Sequence, residues 1–156
     1  MYEISMAEPQ DISLVYQMIQ NLACTIGIQD KLRITESNLS EILLCKAPIH
    51  FAIVAKANTQ VVGFALYNIM SNNICFNAGN GVYLENLYVD AEYRGLGIGS
   101  ALFKQVMSNA KDSGCNRVEW WISKAQKDVM RFYERFDVKS LDEWLICKCE
   151  NLSTVE

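Results

Sequence analysis

The stretch best suited to chemistry is Arg94-Gly95-Leu96-Gly97-Ile98-Gly99-Ser100, with glycine at three alternate positions. Glycine lets a backbone turn without a Cβ penalty and lets a bulky group come close. Where such a segment opens a helix, the first N–H groups have no intrahelical acceptor and sit at the positive end of the dipole. The chemistry this favours is binding of an anion such as a pyrophosphate, with Arg94 adding a charge-assisted contact. A Walker loop requires Gly-Lys-Ser/Thr, and no lysine follows Gly99. The dinucleotide fingerprint requires G-x-G-x-x-G, whereas this chain has G-x-G-x-G. Glu119 lies at about the right distance downstream for a ribose contact. It falls inside an expected strand, however, so NAD binding is the weaker competitor.

Groups able to move protons are few. Glu85 is the only acid in the apolar run 82–89. Burial there would raise its carboxyl towards neutrality and suit it to general base work; a glutamate facing solvent at a strand end is the competing reading. Tyr133 shares a helical stripe with Val129, Phe132 and Phe136, a pattern that reads first as core. His50 is the sole histidine, and one histidine makes no metal site. Its expected role is structural, and no metal is expected. The six cysteines show no C-x-x-C spacing. They read as reduced, largely buried small hydrophobes.

The elements that must position these groups follow from periodicity. Residues 2–6 read as a strand, and Pro9 suits a first helical turn. Ile12, Val15, Ile19, Leu22, Ala23 and Ile26 recur at helical spacing up to Gly27. Thr35 can cap a second helix carrying Leu39, Ile42 and Leu43. Residues 49–56 and 60–70 form an expected hairpin about Asn58-Thr59, and 71–81 reads as a loop. A central strand over 82–89, a helix over 96–112, a strand over 117–122, a helix through the Val129 stripe and a last strand over 144–149 complete the order. The strand-helix-strand crossover makes strands 82–89 and 117–122 parallel. The class is mixed α/β with a mixed sheet, and residues 1–156 read as a single domain.

Here the motifs gather into a family. Arg94-Gly95-Leu96-Gly97-Ile98-Gly99 resembles the Q/R-x-x-G-x-G/A signature of the GNAT superfamily of N-acetyltransferases. Tyr83-Leu84-Glu85-Asn86-Leu87-Tyr88-Val89, then Tyr93-Arg94-Gly95, and later Phe132-Tyr133-Glu134-Arg135, resemble its spermidine/spermine (diamine) branch. Gly63-Phe64-Ala65-Leu66-Tyr67 on the third strand fits the same pattern. The resemblance implies a GNAT-like fold: a central mixed sheet with a parallel, splayed strand pair and helices on both faces. It implies acetyl-CoA as co-substrate, with its pyrophosphate on Arg94, Gly95, Leu96, Gly97, Ile98, Gly99 and Ser100. The pantetheine arm would then lie along Leu87, Tyr88 and Val89. Glu85 matches the family's base, Tyr133 its acid, and Glu119, Trp120 and Trp121 lie on the strand that contacts substrate. The expected acceptor is the primary amine of a small diamine, polyamine or lysine-like molecule. A protein amine, or a non-catalytic acyl-CoA-binding role, is the alternative.

Three departures qualify the match. Gln126 stands where the family often has Asn on the cofactor. Asp137 stands where a glycine commonly follows the tyrosine. The stretch 24–30 holds Asp30 as its only acid, which weakens the case for a polycation. Fourteen Lys and Arg against eighteen Asp and Glu leave a net charge of −4, without the basic excess of a nucleic-acid binder. No apolar run reaches the roughly 20 residues that span a bilayer, and residues 1–10 have no signal-peptide pattern. The expected compartment is the cytoplasm, and a homodimer through the last strand is plausible from its open edge.

Overall fold

The computed structural model describes residues 1–72, 74–124 and 126–148. The chain forms two compact units, Met1–Trp121 and Ile122–Glu156. In the first, strand β1 (Glu3–Met6) leads through a 3-10 turn at Pro9–Asp11 into helix α1 (Ile12–Thr25). Helix α2 (Glu36–Leu44) follows, with the Thr35 hydroxyl accepting from the Asn38 N–H and the Asn38 side chain answering Thr35. This capping box satisfies two groups that the helix start leaves orphaned. Strands β2 (His50–Ala57) and β3 (Gln60–Met70) form the expected hairpin. Asn58 and Thr59 both take positive φ, 48° and 71°, the handedness that a two-residue hairpin turn demands.

Strand β4 (Gly81–Val89) pairs antiparallel with β3, and β5 (Val118–Glu119) pairs parallel with β4 after helix α4 (Ile98–Asp112). The sheet order is β1-β2-β3-β4-β5. Alternation along the strands separates two cores. Phe64 and Leu66 join Ile12, Val15, Met18, Ile19 and Leu39 from α1 and α2. The intervening positions turn to α4: Gly63 abuts Leu102, and the Tyr67 hydroxyl accepts from Asn109 at 2.8 Å. Helices thus cover both faces.

Gly63 is required by this packing. A Cβ there would lie 2.8 Å from the Tyr88 carbonyl oxygen and 3.2 Å from Val89 Cγ2. The first is backbone of the neighbouring strand and cannot swing aside. Gly63→Ala is expected to cost about 1–3 kcal/mol, read as a lower urea midpoint with unchanged m-value.

Several expectations change. The segment 71–81 is not all loop: a helical turn, α3 (Ile74–Asn77), interrupts it, and β4 starts at Gly81. Helix α4 starts at Ile98 rather than at 96, because Gly97 takes a left-handed φ of +81°. The strand expected over 117–122 shortens to two residues. Its neighbour Arg117 is instead a clamp, donating to the Asn72 and Gly79 carbonyls at 2.7 and 2.9 Å. In the second unit, helix α5 (Lys127–Glu134) forms as expected. Residues 144–148 form no strand, and Trp144, Leu145 and Ile146 stay exposed. The open edge expected there for self-association is therefore not formed by these residues; Cys149 lies outside the described ones. The five cysteines among the described residues are free, but not largely buried: Cys24, Cys45, Cys75 and Cys147 are exposed and Cys115 is half-buried. Cys24 sits off the apolar stripe of α1, and Cys45 lies just past the end of α2. No helix among the described residues is long and apolar enough to cross a membrane.

Candidate active site

The centre of the first unit is a defect in its sheet. Leu66 faces Asn86, but Tyr67 faces Leu84. Glu85 is thus an extra residue on β4, a bulge that re-aims its side chain out of the apolar alternation. The expected burial of Glu85 is not found; the residue is exposed, and the bulge is the cause. Its carboxylate is nonetheless held. Asn68 Nδ2 donates to Glu85 Oε1 at 2.7 Å, and His50 Nε2 lies 3.4 Å from the same oxygen. His50 and Asn68 are paired across β2 and β3, which brings both to one face. Burial and the Glu85 charge together push the nearby Tyr83 phenol up.

Glu85 and Asn86 border an open cleft of about 320 Å³. The last turns of α1 (Ile19, Leu22, Ala23) and Leu66 line it with apolar side chains, and residues of the segment 28–34 complete the lining. That segment turns back because Gly27 closes α1 with φ +70°. The Ile28 N–H bonds to the Ala23 carbonyl and the Gly27 N–H to Cys24, the pattern of a left-handed helix end. The volume is at the small end of the range for small-molecule sites.

Beyond the bulge the sheet opens. Strand β4 pairs with β5 only at Val82–Val118 and Tyr83–Glu119. Leu87, Tyr88 and Val89 have no strand beside them on that side among the described residues. The glycine loop follows. Gly95 and Gly97 take φ of +78° and +81°, and a Cβ on Gly95 would meet nothing within 4 Å. Gly95 therefore faces open space, a Cβ on Gly97 would meet only the Tyr2 hydroxyl at 3.8 Å, and glycine is needed at both for the dihedrals. Ile98 is buried and anchors the first turn of α4, which has no side-chain cap. The N–H groups of Ile98, Gly99 and Ser100 precede the first intrahelical bond, Ala101 N–H to Gly97 O. Arg94 leans back, its Nε donating to the Val89 carbonyl at 2.9 Å and its guanidinium lying over the Tyr88 ring.

Residues 17–137 match the family model described as the acetyltransferase (GNAT) family. The chain belongs to the GNAT family of acetyltransferases. It is 29% identical over 145 residues to a thialysine N-epsilon-acetyltransferase of Bos taurus, covering 88% of this chain and 84% of that one. It is 26% identical over 153 residues to the human spermidine/spermine N(1)-acetyltransferase-like protein 1, covering 92% of this chain and 22% of that protein. In fold it resembles an aminoglycoside acetyltransferase from an uncultured soil metagenomic sample. That match has a TM-score of 0.77 at 16% identity, over 97% of this chain and 96% of that one.

In this GNAT chain the other anticipated site residues divide. Glu119 accepts from Arg117 Nε at 2.7 Å, so its carboxylate is already paired. Trp120 packs edge-on against the buried Phe103, whereas Trp121 stands largely exposed with its edge to Tyr83. The two indoles part as alternation requires. Tyr133 and Gln126 belong to the second unit, Gln126 just before the first residue of α5 and Tyr133 in its last turn. Tyr133 is buried, with Phe132 edge-on at 4.8 Å, and burial pushes its phenol well above the usual range. Asp137 takes φ +53°, so the turn that glycine makes elsewhere is kept by a residue that tolerates it. Sequence reasoning missed Asn68, and it gave His50 only a structural role. The available signal was weak: two polar residues at matching ends of the hairpin strands.

Proposed function

We propose that this chain transfers the acetyl group of acetyl-CoA to the primary amine of a small molecule bound in the cleft beside Glu85. The observation that carries the reading is the bulge: it sets a tethered, solvent-reached carboxylate at the mouth of a small cleft, four residues before the strand end that leads to the glycine loop. The uncapped N–H groups of Ile98, Gly99 and Ser100 suit the pyrophosphate, with Gly95, Leu96 and Gly97 leaving the approach open. The backbone of Leu87, Tyr88 and Val89 suits the pantetheine arm. Acetyl-CoA supplies an activated acyl carbon; the protein supplies the proton handling.

An amine of this kind has a pKa of about 10 and arrives protonated. Glu85, directly or through one water, takes that proton so that the nitrogen lone pair can attack. The N–C bond forms, the attacking nitrogen gives its second proton to solvent, and the C–S bond breaks; the departing thiolate takes a proton from Tyr133, the acid that the family resemblance supplies, and water returns that proton to the phenol. Asn68 orients the base. Asn68→Ala is expected to lower kcat about tenfold, the worth of one hydrogen bond to a charged group, with acetyl-CoA binding unchanged by calorimetry. The relatives named for amine acetylation support the same class of acceptor.

The test is incubation with acetyl-CoA and a pool of polyamines, lysine analogues, simple amines and short peptides, read by mass spectrometry. Acetylation of a small amine supports the reading. Acetylation of peptides alone, or acetyl-CoA binding without any product, would overturn it.

A further inference from the structure

Glu85 lines the cleft, but the two side chains that hold its carboxylate do not: neither His50 nor Asn68 is part of the lining. Both reach the same atom, Asn68 Nδ2 donating to Glu85 Oε1 at 2.7 Å and His50 Nε2 standing 3.4 Å from it. Register explains their placement. His50 is the first residue of β2 and faces Asn68 on β3, which in turn faces Tyr83 on β4, two residues before Glu85. The bulge brings the carboxylate to this polar row. The His50 side chain keeps 31% of its surface exposed, so it touches both Glu85 and solvent.

Among the described residues Glu85 is the one carboxylate within ion-pair distance of His50. Tyr83, the other titratable group beside Glu85, is pushed up by burial and by the Glu85 charge, and so keeps its proton. The Asn68 amide takes none. Of these neighbours only the imidazole both accepts and gives up a proton readily near neutral pH. At 3.4 Å its nitrogen stands just outside hydrogen-bond range of Oε1. A shift of about half an ångström, or one bridging water, closes the gap.

We propose that His50 is a proton relay that unloads Glu85 after each turnover. This rests on the acetyl-transfer reading above, in which every acceptor amine leaves a proton on Glu85. A second amine cannot be deprotonated until that proton has gone. The O–H bond of the Glu85 carboxyl breaks, the proton joins a ring nitrogen of neutral His50, and the carboxylate is restored. The imidazolium then gives a proton to water or to a buffer base. The amine arrives through the cleft and the proton departs through a side chain outside it, so bound acceptor does not block the exit. His50 touches no reacting atom of the acyl transfer and acts only through Glu85.

The test uses whichever of L-lysine, L-ornithine, putrescine and tyramine the wild-type chain acetylates fastest, with saturating acetyl-CoA in dilute buffer. In His50→Gln the first turnover is expected at the wild-type rate, because Glu85 starts unloaded. Steady-state kcat is expected to fall roughly tenfold or more, the scale of a lost proton-transfer group. Rapid quench should therefore show a burst of acetylated product followed by slow turnover. Added imidazole should restore most of kcat and leave the burst as it was, and His50→Ala should respond in the same way. If His50 only shapes the site, the first turnover and the steady state fall together and imidazole restores neither. That result, or an unchanged kcat in both variants, overturns the relay while leaving acetyl transfer standing. Acetylation of none of the four amines by the wild type overturns this inference and the acetyl-transfer reading together.

Discussion

Glu85→Gln is expected to lower kcat by about 10²–10⁴, the range for loss of a positioned general base. The substitution is nearly isosteric and keeps an oxygen for Asn68 Nδ2, which donates to Glu85 Oε1 at 2.7 Å. The bulge and the cleft wall therefore survive while the proton acceptor is lost. The residual rate carries a second signature. Without a base the enzyme depends on the fraction of amine already deprotonated, so the variant's rate should climb about tenfold per pH unit towards the amine's pKa of about 10. Stopped assays across alkaline pH, with acetyl-CoA binding measured alongside, check both points. An unchanged kcat at neutral pH would remove Glu85 as the base.

Tyr133→Phe carries the second large effect, an expected fall of about a hundredfold or more in kcat with little change in acetyl-CoA affinity. Tyr133 is buried on α5 with Phe132 edge-on to it, and phenylalanine preserves that volume. The pH dependence follows from the direction of the shift. Burial disfavours the phenolate, so the folded-state pKa lies above the ordinary value of 10.0. The phenol is then in its donor form throughout neutral and mildly alkaline pH. The wild-type rate profile should accordingly show no falling limb at pH 10 that belongs to Tyr133. A limb there that disappears in Tyr133→Phe would show the phenol ionising at its ordinary value. Turnover by the variant equal to wild type would remove Tyr133 as the acid.

How much of this was readable beforehand depends on the range of the interactions involved. The glycine loop was legible because its requirement is local: positive φ at Gly95 and Gly97 needs glycine whatever surrounds it. The Thr35 cap and the Asn58-Thr59 turn were legible for the same reason, each being settled within four residues. The hairpin strands were legible as strands, but that Phe64 and Leu66 face α1 came only with the structure.

What needed the tertiary structure was everything set by register. The pairing of Leu66 with Asn86 and of Tyr67 with Leu84 makes Glu85 a bulge; an apolar run with one acid reads simply as a strand with a buried or terminal glutamate. The early end of β5 pairing, at Glu119, likewise depends on a neighbour 36 positions back in the chain, Tyr83. The same holds for His50 and Asn68, which meet Glu85 only because three strands lie side by side. It holds again for Lys31 and Arg33, which only the fold sets along the cleft. The sequence by itself determined parts of the local backbone: the Thr35 cap that starts α2, the turn of the hairpin, and the glycines that must stand before α4. Tertiary structure alone decided which side chains share a site, because strand register and helix docking are sums over many distant contacts that no short motif records.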